Sequence, residues 1–139
     1  MKITKSSDIQ TIASIVCDCL LKHGIEAVLS GGAVVSIYTN NEYESKDLDF
    51  ISSGDMKAIK KWATQNNKAG KVQLLTPTHS VMDRLAGFFY WNDKQNLDQA
   101  LMIAKRHPIK IKEIERWAKD EEESEKFEIF RKRLAQNKR

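Results

Sequence analysis

The stretch that decides the fold is residues 28–52, VLSGGAVVSIYTNNEYESKDLDFIS, in which a helical segment separates a glycine pair from two aspartates. Residues 26–30, which lead into the glycines, are mostly apolar and predict a short buried strand. Residues 33–38 contain no turn residue and predict a helix. The glycine pair therefore lies at a strand–turn–helix junction.

Ser30, Gly31 and Gly32 at this junction are suited to binding phosphate. The first turn of a helix has unpaired backbone N–H groups and a partial positive charge, which favour an anion. Glycine permits positive φ and lets a ligand approach the backbone closely. An ordinary tight turn is the alternative interpretation. A Walker loop and a dinucleotide fingerprint are excluded, because no Gly-Lys-Ser/Thr and no third glycine follow.

Two carboxylates follow the helical segment. On a strand, Asp47 and Asp49 face one side while Leu48 and Phe50 face the other. Two like charges this close need water, a cation or a basic group between them. Their hard oxygen atoms suit Mg²⁺, which commonly takes one or two carboxylates together with substrate phosphates. The alternative is a solvated strand end with Lys46 as an ion-pair partner.

Together the glycine pair and the Asp-x-Asp resemble the nucleotidyltransferase fold, the superfamily related to DNA polymerase β. Residues 28–52 carry this resemblance, and residues 74–117 are similar to the C-terminal half of bacterial nucleotidyltransferase-like proteins. The resemblance implies that Ser30 and the two glycines bind the triphosphate of an NTP. It also implies that Asp47 and Asp49 are the catalytic residues and hold Mg²⁺ or Mn²⁺ during transfer of a nucleotidyl group.

One departure from the family concerns a third carboxylate, which active members carry on a following strand. The next predicted strand here, residues 71–75, has Gln73 at its centre, and Asp55 is better suited to capping a helix. Asp83 is a candidate replacement. Two functions therefore stay open: a nucleotidyltransferase with an unknown acceptor, or a catalytically degenerate module that binds a nucleotide or a protein partner, as in toxin–antitoxin pairs.

The remaining pattern predicts an α/β (α+β) fold, with a small mixed sheet of the nucleotidyltransferase type and a C-terminal helical segment. We expect one domain, residues 1–139, with an α/β core at 1–76 and a helical part at 77–139. Three strands are expected. The predicted helices outside the glycine segment cover residues 7–23, 56–66, 77–91, 96–106, 111–122 and 125–136.

Composition limits the function classes. A content of 41% hydrophobic and 30% charged residues is typical of a soluble globular protein, and no apolar run is long enough to span a membrane. We therefore expect a cytoplasmic protein. The net charge of +4 comes entirely from residues 105–139, since eleven basic and eleven acidic residues balance before them. This basic tail supports nucleic-acid binding only weakly, and free sheet edges favour a homodimer.

Overall fold

The computed structural model describes residues 2–52, 62–67 and 70–136. The chain divides into two compact units, Met1–Thr76 and Pro77–Arg139. The elements described in the first unit are α1 (Ile9–Lys22), β1 (Ala27–Ser30), α2 (Gly31–Tyr38), β2 (Asp49–Ser52), β3 (Trp62–Asn67) and β4 (Gly70–Leu75). Those of the second unit are α3 (Pro77–Trp91), α4 (Lys94–Arg106), α5 (Ile111–Asp120) and α6 (Ser124–Gln136).

The described strands form one sheet in the order β2-β1-β4-β3. Strand β1 is antiparallel to β2 and parallel to β4, and β3 is antiparallel to β4, so the sheet is mixed. The predicted fold class, an α/β arrangement with a small mixed sheet followed by helices, is confirmed. No helix in the described residues combines the length and the apolar character needed to cross a membrane.

One predicted helix is wrong in its second half. Residues 62–66, expected to be helical, belong to strand β3, which pairs with β4 from Trp62 opposite Leu75 to Asn67 opposite Gly70. Residues 56–61 lie outside the described part of the chain. The error has a physical reason, because cross-strand pairing along the whole of β4 outweighs the weak local preference of a short polar segment. The sheet consequently has four described strands instead of three.

The core of the first unit lies around the two central strands. Val28 and Leu29 of β1 and Val72 and Leu74 of β4 are fully buried, which explains the continuous apolar run of β1, whereas β4 has the half-buried Gln73 between its two buried residues. Tyr38, the last residue of α2, donates its hydroxyl to the carbonyl of Leu75 over 2.6 Å, and burial raises its pKa well above the ordinary value. The end of α2 is thereby attached to the end of β4.

In the second unit, α3 and α4 form an antiparallel pair that approaches closely at Gly87. A Cβ atom there would lie 1.9 Å from Nδ2 of Asn96, so a side chain other than hydrogen does not fit without movement. Arg84 donates from Nη1 to Oδ1 of Asn96 (3.3 Å) and to Oε1 of Gln99 (3.2 Å) across the same pair of helices. Because Gly87 has no side chain, it leaves space for the hydrogen bonds of Arg84 with Asn96 and Gln99.

Candidate functional site

The antiparallel pairing of β1 and β2 brings the two sequence motifs together. Ser30, the last residue of β1, lies opposite Asp49, the first residue of β2. The Ser30 hydroxyl donates to the backbone carbonyl of Asp49 over 3.2 Å. Ser30 is also the N-cap of α2, yet its side chain makes no hydrogen bond to the helix. Its hydroxyl therefore holds β2 in place instead of satisfying an N–H group of the helix.

Gly31 begins α2 with a left-handed backbone, at φ +69°. A Cβ atom at this position would lie 2.7 Å from Oδ2 of Asp49 and 3.4 Å from its Cβ. The carboxylate of Asp49 thus lies directly against the first residue of the helix. Glycine is required here for two reasons, the positive φ and the lack of space for a side chain.

Gly32 is covered by the connection between α2 and β2. A Cβ atom on Gly32 would meet Cε1 of Tyr43 at 3.1 Å and Oγ of Ser45 at 3.3 Å. Tyr43 is the residue of this site that sequence reasoning missed. The only feature of the sequence that could have indicated Tyr43 was its position between the glycine pair and the aspartates. A loop residue is not part of the apolar periodicity of a helix or a strand, so the periodicity could not identify it.

Side-chain hydrogen bonds hold that connection against α2. The hydroxyl of Ser36 donates to the carbonyl of Gly32 (3.2 Å) and accepts from the N–H of Ser45 (2.8 Å). The hydroxyl of Ser45 in turn donates to the carbonyl of Asp47 over 3.0 Å. Ser45 therefore shapes the backbone just before Asp49.

Asp47 and Asp49 are both exposed, whereas Leu48 and Phe50 are half-buried. The exposure alternates as expected for a strand, although β2 itself starts only at Asp49 and Asp47 lies in the segment before it. The two carboxylates are consequently accessible to a ligand from solvent. Their apolar neighbours pack toward the protein.

Of the positions considered for a third carboxylate, Asp55 lies outside the described residues, whereas Gln73 and Asp83 are described. Gln73 lies on β4, which β1 separates from β2, and its side chain lines a different cleft of about 510 Å³ together with Cys17 of α1. Asp83, in the helical unit, accepts a 2.8 Å hydrogen bond from Arg84. Across residues 2–52, 62–67 and 70–136, no group of three or more His, Cys, Asp and Glu is placed to hold a metal ion.

Comparisons with known proteins give little beyond this geometry. No protein-family model and no curated protein matches the chain. Among solved structures, the chain is similar to an antigenic nucleotidyltransferase-like protein from Paracoccidioides brasiliensis, with a TM-score of 0.48 and 10% sequence identity. The similarity covers 70% of this chain and 76% of that one.

Proposed function

We propose that this chain is a nucleotidyltransferase-fold protein that binds an NTP together with Mg²⁺ or Mn²⁺. The site consists of Ser30, Gly31 and Gly32 on one side and Asp47 and Asp49 on the other. One observation carries the proposal: the carboxylate of Asp49 lies against Gly31 at the start of α2, with Oδ2 2.7 Å from where a side chain would begin. Glycine thus occupies position 31, where the backbone lies against the carboxylate of Asp49.

The donor set at this position fits a divalent cation bound together with phosphate. The start of α2 attracts an anion through its N–H groups and its dipole. A phosphate placed there would face the carboxylate of Asp49, and the two negative charges repel unless a cation lies between them. Asp47 and Asp49 are exposed and carry hard oxygen ligands, the kind that Mg²⁺ takes alongside phosphate oxygens. When bound, the metal ion would neutralise charge on the transferring phosphate.

The activity that follows from such a site is transfer of a nucleotidyl group to a hydroxyl or phosphate acceptor, with pyrophosphate leaving. The glycine turn would hold the triphosphate, and the two aspartates would hold the metal. The second candidate function is nucleotide binding without turnover, or binding of a protein partner through an inherited fold. Gln73 on β4, the strand on which the resemblance would place the third carboxylate, favours this second candidate, because an amide cannot act as a base.

The test is a thermal-shift titration with ATP, GTP, CTP and UTP, each with and without Mg²⁺ or Mn²⁺. A ligand at about 100 times its dissociation constant stabilises the folded state by about 2.7 kcal/mol, which such an assay detects. We expect a metal-dependent shift that Asp47→Asn and Asp49→Asn abolish. Glu44→Gln is the matched control, since Glu44 is an exposed acid of the same connection. No shift with any nucleotide would refute the proposed site.

Turnover is tested separately by release of pyrophosphate from the NTP that gives the largest shift. Release above the level of Asp49→Asn would identify an enzyme. A metal-dependent shift without release, over a panel of hydroxyl acceptors, would identify the catalytically degenerate module. These two experiments therefore distinguish the absence of a site from the absence of chemistry at the site.

A further inference from the structure

A second site, independent of the nucleotide site, is a cleft in the helical unit. It has a volume of about 670 Å³, is open to solvent, and lies among the C-terminal turn of α4, the connection to α5, and the last turns of α6. Its lining is divided by chemistry. Six of the lining residues are apolar, and the half-buried Ile109 and Ile111 and the buried Leu134 form the floor. The other four lining residues are Lys105, Arg106, His107 and Arg131. These described lining residues include no carboxylate, and the only aromatic ring among them is the imidazole of His107.

The path of the chain after α4 keeps this cleft open. Helix α4 ends at Arg106, and His107 is extended at φ −132° and ψ 143°. Pro108 follows, which disfavours continuation of the helix. The connection is attached at its far end, where the N–H of Lys110 donates to the hydroxyl of Thr78 over 3.0 Å. The segment thus runs extended beside α6 instead of filling the space, and Ala135 of α6 remains exposed.

The rim of the cleft is positively charged. Lys105 is exposed and makes no ion pair or hydrogen bond through its side chain to any residue that the structure describes. Arg131 pairs with Glu128, which is not among the lining residues, and both side chains are about half exposed, so solvent screens the pair. Residues 105–139 contain twelve basic and eight acidic residues, the source of the chain's net charge.

We propose that this cleft binds an acidic peptide segment of a protein partner, with an apolar side chain of that segment on the floor and its carboxylates at the cationic rim. Because the charged residues that line the cleft are basic, charge complementarity favours a negatively charged partner. The apolar floor favours a peptide over a nucleic acid, because single-stranded nucleic acid is bound by stacking of successive bases on several aromatic rings, and no Phe, Tyr or Trp is among the described lining residues. An open surface cleft suits an anchored peptide better than an enclosed small molecule.

The experiment is a selection of 12-residue peptides displayed on phage against the full chain, followed by fluorescence anisotropy with the selected peptides. We expect enrichment of peptides in which Asp or Glu flanks an apolar residue, and affinity that falls as salt is raised. Lys105→Glu should weaken binding about tenfold or more, because an attraction at the rim becomes a repulsion. Ala135→Trp should also weaken binding, by filling the cleft from α6.

The matched control is Lys119→Glu, which makes the same change of charge at an exposed position of α5 outside the cleft. It should bind the selected peptides as the unmodified chain does, and circular dichroism should show all three variants folded. Selected peptides without acidic residues, or equal weakening by Lys105→Glu and Lys119→Glu, would overturn the proposal. So would a 12-nucleotide RNA that displaces the peptides at lower concentration than they bind.

Discussion

Replacement of Gly31 by alanine tests the contact between the glycine turn and Asp49. Two costs follow from the structure. Alanine at φ +69° raises the free energy of the folded state by about 1–2 kcal/mol. Alanine also lowers the conformational entropy of the unfolded chain, which offsets about 0.4–1 kcal/mol of this cost. The new Cβ would also lie 2.7 Å from Oδ2 of Asp49, so the carboxylate must leave its position. Moving one exposed side chain off its preferred rotamer costs about 0.5–1.5 kcal/mol.

Gly24 provides the matched control for this substitution. Its φ is +77°, close to that of Gly31, but nothing lies within 4 Å of where its Cβ would be. Gly24→Ala therefore measures the backbone cost alone. We expect Gly31→Ala to lower the free energy of unfolding by about 0.5–1.5 kcal/mol more than Gly24→Ala does, and this excess to disappear in an Asp49→Ala background.

The assay is native-state hydrogen exchange of the β1 amides, which reports the opening of the sheet unit separately from the helical unit. The same variants are then titrated with the NTP and metal that stabilise the unmodified chain. If displacement of Asp49 removes a metal ligand, Gly31→Ala loses the nucleotide-dependent shift while Gly24→Ala keeps it. Equal destabilisation by the two substitutions, or an unchanged excess in the Asp49→Ala background, would show that Asp49 does not contact Gly31.

Three further outcomes can be checked on the same chain. Gly87→Ala should destabilise the helical unit by about 1–3 kcal/mol through its overlap with Asn96, and by less in an Asn96→Ala variant, where the amide group is gone and only the 3.3 Å contact with Cβ of residue 96 remains; urea denaturation would show the difference. Asp8 is the N-cap of α1, and the hydrogen bonds that its carboxylate accepts from Thr11 lower its pKa. The ionised carboxylate therefore stabilises the folded state above the ordinary pKa, and this stabilisation is lost as the pH falls through the lowered pKa. The free energy of unfolding of Asp8→Asn, measured against pH in acid, should not show this loss. Burial raises the pKa of the Cys17 thiol, so a disulfide reagent should modify exposed Cys19 first and Cys17 only at higher pH or in denaturant; equal rates at neutral pH would contradict this.

The sequence was most informative where chemistry and local structure coincide. The strand before the glycines, the helix after them and the fold class follow from short apolar runs and turn residues, and the structure has them. Helix α1 was predicted within two residues at each end because its apolar side chains recur with the helical period and Gly24, which adopts a left-handed conformation, follows the helix. Such signals are local, so a single sequence carries them.

The features that could not be predicted depend on partners far along the chain. Strand β3 exists through its pairing with β4, and no local pattern marks it as a strand. Tyr43 lies against Gly32 in a connection held by hydrogen bonds from the N–H of Tyr43 to Thr39 and from the N–H of Ser45 to Ser36, which no periodicity reveals. The Asp-x-Asp itself was found by residue type, but its placement against Gly31 required the register of β1 and β2.

That register links the fold to the candidate site. Because side chains alternate along a strand, a shift of β2 by one residue would place Leu48 or Phe50 opposite Ser30 and turn the aspartates toward the protein. The shift would bury carboxylates and expose two apolar side chains, so the apolar pattern disfavours it. The Ser30 hydroxyl bonds the backbone of Asp49 in the observed register only, and Gly31 leaves room for the acid that this register brings. The same constraints that align the sheet therefore position Asp49 at the start of α2, where a metal-bound phosphate would meet it.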